Sequence, residues 1–298
     1  MFDKICSYKN LSFCVLCLLM NILSTFSQAS LPSPSPAGGN YLTLDGKDDY
    51  AILISKLLFK EGTDEYTVEA WIYPTSPPDM NAEGTILRQQ LNFFTINYNN
   101  PNYQSVKEQV KWGKDELLLV MYARVHGGGG GASTGYYPII LSLNKWHHIG
   151  FQANHGQIVF FWDNSINSAD NWLTLIEHDT KEIYPQDFVL GGYGERVNTG
   201  REILDSFAGY IDEVRISKVA RYDPRNAYSA PKGKFDSDDD TVALWHFDER
   251  NRATTFRDSS HNKYNLIGKN DAITKGPLAV DTNGKLTTSW ASIKIERE

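Results

Sequence analysis

The sequence predicts an all-β protein folded as an antiparallel sandwich or barrel. Short runs rich in Val, Ile, Tyr, Phe and Trp recur along the chain, and Gly, Pro, Asn and Asp, which are typical of turns, separate them. No long stretch repeats its apolar residues every 3.6 positions, so helical crossovers between the strands are not expected. Regularly spaced strands without helical crossovers are typical of antiparallel sandwiches and barrels.

The predicted strands follow one another between residues 41 and 248. In chain order they are YLTLDG, YAILIS, EYTVEAWIYP, FFTINYN, ELLLVMYARV, YYPIILSL, KWHHIGFQA, QIVFFWDN, DFVLGGY, YIDEVRIS and TVALWHFD. The stretch NHGQ at 154–157 predicts a tight hairpin between two of them. The final LTTSWASIKIERE also alternates and is a candidate for a last edge strand.

The run EYTVEAWIYP shows how such a strand divides its side chains. Because successive side chains of a strand point to opposite faces, two sets form. One set is small and aliphatic, and the other carries two aromatic rings and an acid: Val68, Ala70 and Ile72, against Glu69, Trp71 and Tyr73. The aliphatic face is predicted to lie in the core between two sheets.

The N-terminal region predicts export. Residues 1–29 combine an N-terminal segment bearing two lysines, a short apolar run and small residues at Ser27 and Ala29, which predicts a signal peptide cleaved after Ala29. An uncleaved anchor is the alternative, although the apolar run is short for a membrane span. No later stretch is apolar enough to span a bilayer, so the mature chain is expected to have no transmembrane segment.

The rest of the chain is interpreted as a linker and one domain. Residues 30–39 are rich in Pro, Ser and Gly and predict a linker. Residues 40–298 are then one sandwich domain whose C-terminal extension begins at about residue 240. All three cysteines lie in 1–29, so the mature chain is expected to have no disulfide. The net charge of −7 argues against nucleic acid as a partner.

Five sequence blocks resemble a known family. YLTLDGKDDYA, YTVEAWIYP, KWHHIGFQ, FAGYIDEVRISKVARY and TVALWHFDE with FRDSSHNKYNLIG are similar to blocks of laminin-G-like, concanavalin A-like lectin/glucanase jelly-roll domains. The resemblance covers residues 40 to about 270 and implies a two-sheet antiparallel β-sandwich, a jelly roll. The last block often opens such a domain, whereas here it comes at the end. The family includes lectins, adhesion modules, glycoside hydrolases and polysaccharide lyases, so it does not fix the function.

The resemblance implies a structural Ca²⁺ ion at the rim of the sandwich. In related domains the first acid of a strand like DEVRI helps to hold it, which is Asp212 here, and the turn after the first strand supplies Asp45 or the Gly46 carbonyl. Calcium takes six to eight oxygen ligands. A second interpretation stays open, in which Asp212 accepts hydrogen bonds from backbone donors or pairs with Arg215 or Arg221.

Aromatic residues are the candidates for a carbohydrate site, because pyranose rings stack on aromatic faces. The candidates are Trp71, Tyr73 and Tyr122, together with Tyr193 and Arg196 in the loop LGGYGERVNTGRE. The alternative is that these rings lie in the core or under long loops, since aromatic residues dominate protein cores.

No motif for catalysis is found. Hydrolases of the family carry Glu-x-Asp-x-x-Glu on one strand, and Glu69 stands alone on its strand. The residue types of a lyase site occur, but no motif organises them. Glu213 and Arg215, two positions apart, are interpreted as a solvated pair on one strand face.

The sequence therefore predicts a secreted or cell-surface, non-catalytic jelly-roll module that binds carbohydrate or another extracellular ligand and is stabilised by calcium. The first alternative is a protein-interaction or surface-structural module without a sugar site. The second is a polysaccharide-degrading enzyme.

Overall fold

The structure is a computed structural model, and it describes residues 33–54, 58–59, 63, 65–76, 84–89, 94–98, 115–126, 132–155, 157–168, 174–175, 187–192 and 207–276. The chain divides into two units, Met1–Pro32 and Ser33–Glu298, and every described residue lies in the second. The predicted signal peptide and the final alternating run lie outside the described residues. The described residues contain no helix with the length and hydrophobicity that spanning a membrane requires.

The described residues form β-strands joined by turns and loops. The strands are β1 Tyr41–Asp45, β2 Tyr50–Leu53, β3 Glu65–Pro74, β4 Gly84–Gln89, β5 Phe94–Tyr98, β6 Glu116–His126, β7 Ala132–Ser142, β8 His147–Asn154, β9 Gln157–Trp162, β10 Ser165–Ser168, β11 Thr174–Leu175, β12 Phe188–Leu190, β13 Ala208–Ser217, β14 Thr241–Trp245, β15 Thr255–Phe256, β16 Leu266–Lys269 and β17 Ile273–Lys275.

Two antiparallel sheets contain these strands. Sheet A has the order β10-β9-β8-β3-β13-β1-β17, and β14 also pairs with β13. Sheet B has the order β11-β7-β6-β5-β4-β12-β2-β16-β15. The predicted all-β, two-sheet antiparallel sandwich is confirmed.

The core lies between the two sheets and is aliphatic and aromatic. Val68, Ala70 and Ile72 of β3 are fully buried in it, as the alternation of that strand predicts. Sheet B contributes residues such as Leu119 of β6. Across the core, the rings of Phe188 and Trp245 stack with centroids 5.1 Å apart.

The strands after residue 240 join both sheets. β14 pairs with β13 and β17 with β1 in sheet A, while β16 pairs with β2 in sheet B. Buried Asp258, the acid of the DSS block, accepts hydrogen bonds from the backbone N–H groups of Leu244, Ser260 and Tyr264 at 2.8–2.9 Å. This one carboxylate therefore ties the segment 258–264 to β14.

Part of the segment predicted as a linker is anchored to sheet A. The Trp146 indole N–H donates to the Ser33 carbonyl at 2.9 Å. The Ser35 hydroxyl donates to Asp212 on β13, and Ser35 is buried. The start of the described chain is thus held against the outer face of the sheet.

Candidate functional site

The aromatic residues on the outer face of sheet A form a closed cluster. Trp71 and Tyr73 are each only 7% exposed and pack with Tyr41, Trp146 and Phe235. The Tyr73 and Trp146 centroids are 5.4 Å apart, at an edge-to-face angle of 66°. Phe235 belongs to the β13–β14 connection, residues 218–240, which crosses this face.

Two of the predicted sugar-binding residues are therefore covered. Trp71 and Tyr73 lie under the β13–β14 connection, so they offer no open stacking surface in this conformation. Tyr122 is on β6, and its side chain lies outside the described residues, as do Tyr193 and Arg196 entirely.

A buried polar network lies beside this cluster on the same face. Its centre is Glu69 on β3, whose side chain has no exposed surface. The Arg215 Nε and Nη2 atoms contact Glu69 Oε1 at 2.8 Å, and the Tyr222 hydroxyl donates to Oε2 at 2.6 Å. The His148 Nε2 atom lies 3.2 Å from Oε2, and its Nδ1 atom 2.5 Å from the Tyr228 hydroxyl. These five residues are called the Glu69 network.

The network keeps a carboxylate charged in the protein interior. Burial raises the pKa of Glu69, but His148, Arg215 and the Tyr222 hydroxyl outweigh it and lower the pKa to about 2. The pKa of Tyr222 is raised, first by its own burial and then by the charge of Glu69. The Arg215 guanidinium also lies 4.5 Å from the centroid of the Phe235 ring.

The network has the residue types of an acid–base site but is closed to substrates in this conformation. Glu69 and His148 have no exposed surface. The His148 ring stacks on Phe161 at 5.7 Å and on Tyr228 at 6.2 Å. Because Tyr222 and Tyr228 belong to the β13–β14 connection, the contacts of the network hold that connection against sheet A.

A β-bulge at Glu213 and Val214 separates Asp212 from Arg215. Asp212 opposes Trp71 and Arg215 opposes Glu69, so two residues of β13 face one of β3, and Glu213 takes a left-handed φ of 50°. The interpretation of Glu213 and Arg215 as a solvated pair is wrong, because both are buried. Glu213 instead accepts from the Phe235 N–H at 2.7 Å and contacts the His246 Nδ1 atom at 2.8 Å.

Asp212 contacts the start of the described chain. Its carboxylate accepts from the Ser35 hydroxyl and, at 2.9 Å, from the Glu213 N–H. Burial raises the pKa of Asp212 well above its usual range, and the nearby charge of Glu213 raises it further. Along β13, Asp45 pairs with Ala208, four residues before Asp212. At about 3.3 Å per residue the two acids are therefore about 13 Å apart along the strand.

Asp45 is instead close to two other acids of the same turn. Carboxylate oxygens of Asp45, Asp48 and Asp49 lie within 4.8 Å of one another. Buried Asp49 accepts from the backbone N–H groups of Asp45, at 3.0 Å, and of Asp271, at 2.7 Å. Burial raises the pKa of Asp49 despite these hydrogen bonds. Gly46 lies in this turn with φ of 79°, and a Cβ there would come within 2.6 Å of the Ala208 Cβ.

An open pocket of about 540 Å³ lies next to the Glu69 network. It lies between the β8–β9 hairpin and the start of the β13–β14 connection. Its lining residues are polar or small, apart from one aromatic ring: Asn154, Gln157, Ala220, Arg221, Tyr222, Asp223, Pro224 and Arg225. Tyr222 belongs to both the pocket and the Glu69 network, so the network holds one wall of the pocket.

The charged side chains of the pocket are paired. Asp223 Oδ1 and Oδ2 accept from Arg225 Nε and Nη2 at 2.8 and 2.9 Å. The two Nη atoms of Arg221 donate to Asp238 at 2.9 and 2.7 Å. The two Nη–Asp238 contacts are in the bidentate geometry that fixes a guanidinium.

Sequence reasoning missed both the network and the pocket. The run VARYDPRN, which directly follows the DEVRIS strand, is the available signal, since it holds two arginines, an acid and a tyrosine around a turn proline. Its partners Asn154 and Gln157 are the first and last residues of the predicted NHGQ hairpin, and nothing in the order of the residues places the two segments together.

Comparisons with known proteins concern the fold. A sequence model of the concanavalin A-like lectin/glucanases superfamily matches residues 45–225. No curated protein sequence matches the chain. Among solved structures, it is similar to a native heptameric SAP-like pentraxin from Limulus polyphemus, with 15% identity and a TM-score of 0.39, over 64% of this chain and 80% of that one.

Two further solved structures are larger than the matched region. Domains LG4-5 of the mouse laminin α1 chain are 13% identical with a TM-score of 0.36, over 69% of this chain and 49% of that one. The binding domain of botulinum neurotoxin DC in complex with SialylT is 9% identical with a TM-score of 0.34, over 65% of this chain and 42% of that one. The chain thus spans about half or less of either structure.

Proposed function

The chain belongs to the concanavalin A-like lectin/glucanase superfamily, and from that premise we propose that it is an extracellular, non-catalytic module that binds carbohydrate. The observation that carries the proposal is the open polar pocket beside the β8–β9 hairpin, whose volume of about 540 Å³ lies in the usual range of ligand sites. Its amide, carboxylate and guanidinium groups match the hydrogen-bonding needs of sugar hydroxyls.

The closed Glu69 network supports the non-catalytic part of the proposal. An acid–base catalyst must come within hydrogen-bonding distance of its substrate. Glu69 and His148 are fully buried and already contact protein partners. The enzyme alternative predicts cleavage products when the protein is incubated with polysaccharides, detected as new reducing ends or unsaturated sugars. Their appearance, and their loss in the variant His148→Ala, would establish that alternative instead.

A glycan array tests carbohydrate binding directly. The purified protein is applied with calcium and, separately, with a chelator. We expect a restricted set of glycans to bind. If no glycan binds in either condition, the module has a different ligand, and the protein-interaction alternative becomes the leading one. N-terminal sequencing of secreted protein tests export, and we expect it to begin at Ser30.

We also propose that a structural calcium ion binds at the turn between β1 and β2. Asp45, Asp48 and Asp49 would hold it, because their carboxylate oxygens converge within 4.8 Å, and calcium prefers several carboxylate ligands. When bound, the ion offsets the repulsion among these acids. Asp212 is not part of this set, since the register separates it from Asp45.

A thermal-shift experiment tests the calcium proposal. Because a ligand that binds only the folded state stabilises it, a chelator should lower the Tm of calcium-loaded protein. The variant Asp48→Asn should lose most of that shift, while Asp239→Asn, an exposed acid elsewhere, should keep it. An unchanged Tm after chelation of the unaltered protein would refute calcium binding.

A further inference from the structure

One wall of the polar pocket is a hydrogen-bonded turn. Asp223 and Pro224 follow Tyr222, and the Asp223 carbonyl accepts from the Asn226 N–H at 3.0 Å, closing the turn. The Asp223 carboxylate also accepts from the Arg225 N–H at 3.0 Å. Pro224 restricts the backbone between them. The turn therefore places the Asp223 and Arg225 side chains next to each other at the pocket.

The two charged side chains of this turn, Asp223 and Arg225, form an ion pair. Arg225 meets Asp223 side-on through Nε and Nη2, so its end-on edge, which carries Nη1, is directed away from Asp223. The hydrogen bonds from Arg225 lower the pKa of Asp223, so the acid stays ionised and the pair keeps one positive and one negative member.

Arg221, which carries the second guanidinium group of the pocket, is also paired with an acid. Arg221 donates through both Nη atoms to Asp238 and through Nε to the Ser217 hydroxyl at 2.5 Å. Its side chain is only 14% exposed. An anionic ligand would be repelled by the carboxylates of Asp223 and Asp238, which lie beside these guanidinium groups, and the net charge of −7 opposes its approach.

A neutral polyol carries no charge for these carboxylates to repel. A sugar hydroxyl both donates and accepts, and the pocket offers the donor edge of Arg225 and the acceptor oxygens of Asp223. The amide groups of Asn154 and Gln157 each carry both functions. Tyr222 also lines the pocket, and its ring packs against Phe161 and Tyr228 with centroids 4.8 and 5.0 Å apart.

We propose that this pocket binds the end of a neutral saccharide and rejects sulfated and uronic-acid glycans. The proposal rests on the carbohydrate-binding function proposed above, and it adds the location of the site and the chemical class of its ligand. Because recognition uses hydrogen bonds and not net charge, binding depends little on salt.

The test is calorimetric titration of the purified protein with two sets of probes. The neutral set contains cello-, manno-, xylo- and galacto-oligosaccharides, and the anionic set contains heparin and alginate oligosaccharides. We expect at least one neutral probe to bind with an affinity that is nearly unchanged between low and high salt. The variants Asn154→Ala and Arg225→Ala should each weaken that binding about 10-fold or more, the loss expected for a hydrogen bond to a ligand.

The variant Arg257→Ala is the matched control. Arg257 is exposed and follows β15 at the edge of sheet B, away from the pocket lining, so its removal should leave binding unchanged. Arg225 and Asn154 are exposed as well, and a thermal melt of each variant verifies that the fold is retained.

Three outcomes would overturn the proposal, and they are distinguishable. If a neutral probe binds and neither pocket variant weakens that binding, the site lies elsewhere, and the carbohydrate-binding function is retained. Binding of anionic probes alone, with a steep dependence on salt, refutes the ligand class. Binding of no probe from either set refutes this proposal and the proposed function together.

Discussion

Removing the charge of Glu69 is expected to destabilise the protein strongly. In the variant Glu69→Gln the side chain keeps its size, but Arg215 loses the counter-charge that lies 2.8 Å away, and the Tyr222 hydroxyl loses an ionised acceptor. Arg215 is only 11% exposed at its side chain, so water replaces little of that interaction. Breaking a buried ion pair from one side costs about 3–5 kcal/mol.

The free energy of unfolding is measured by urea denaturation, followed by tryptophan fluorescence. A loss of this size lowers the Tm by on the order of 10 °C in a domain of this length. The matched control is Lys218→Ala, which removes an exposed contact with Asp240 at 3.6 Å and should produce no measurable change.

The double variant Glu69→Gln/Arg215→Met isolates the cost of the unpaired arginine. It removes both charges but keeps an acceptor for the Tyr222 hydroxyl, so it should be more stable than Glu69→Gln alone. The reasoning is refuted if Glu69→Gln unfolds within about 1 kcal/mol of the unaltered protein, or if the double variant is the less stable of the two.

Three further predictions concern pH and packing. The pKa of Glu69 is lowered from its usual 4.5 to about 2, so its stabilisation is complete above pH 4.5 and is lost as the pH falls through about 2. Acid titration of stability should therefore be steeper in the unaltered protein than in Glu69→Gln, and parallel curves would contradict this. The pKa of Asp212 is raised in the folded state, so its ionisation opposes folding as the pH rises above 3.8. The variant Asp212→Asn cannot ionise and can still form a hydrogen bond with Ser35. Urea melts at several pH values should therefore show that this variant becomes more stable relative to the unaltered protein as the pH rises. A difference in stability that does not change with pH would contradict this prediction. In the variant Gly150→Ala the new Cβ would lie 2.5 Å from the Val68 carbonyl oxygen, which is too close. Thermal melts should therefore show that the free energy of unfolding falls by about 1–3 kcal/mol or more. A Tm equal to that of the unaltered protein would show that β3 and β8 can separate at this position.

Much of the fold was predictable because strand signals are local. Alternation along β3 assigned Val68, Ala70 and Ile72 to the core, and the structure places them there. The NHGQ hairpin joins β8 to β9 as expected. The bulge at Glu213 and Val214 was not predictable in the same way, because it changes the sheet face on which the following side chains lie from the one that unbroken alternation would assign.

The candidate site was predicted less well because burial depends on remote segments. Trp71 and Tyr73 were correctly assigned to the outer side of β3, but the β13–β14 connection covers that side. A solvent-exposed aromatic row and a covered aromatic cluster have the same sequence pattern. The pocket combines residues of a hairpin with residues of a long connection, and no spacing rule joins them.

The all-β class, the two faces of β3 and the family could be read from the amino-acid sequence, because alternation, turn residues and ordered blocks are local features of the chain. The partners of the charged residues in FAGYIDEVRIS became visible only in the folded chain. Asp212 meets a serine 177 residues away, and Glu69, the partner of Arg215, meets a tyrosine 153 residues away. A charge becomes tolerable inside a protein only when partners reach it, and folding alone brings such distant partners together.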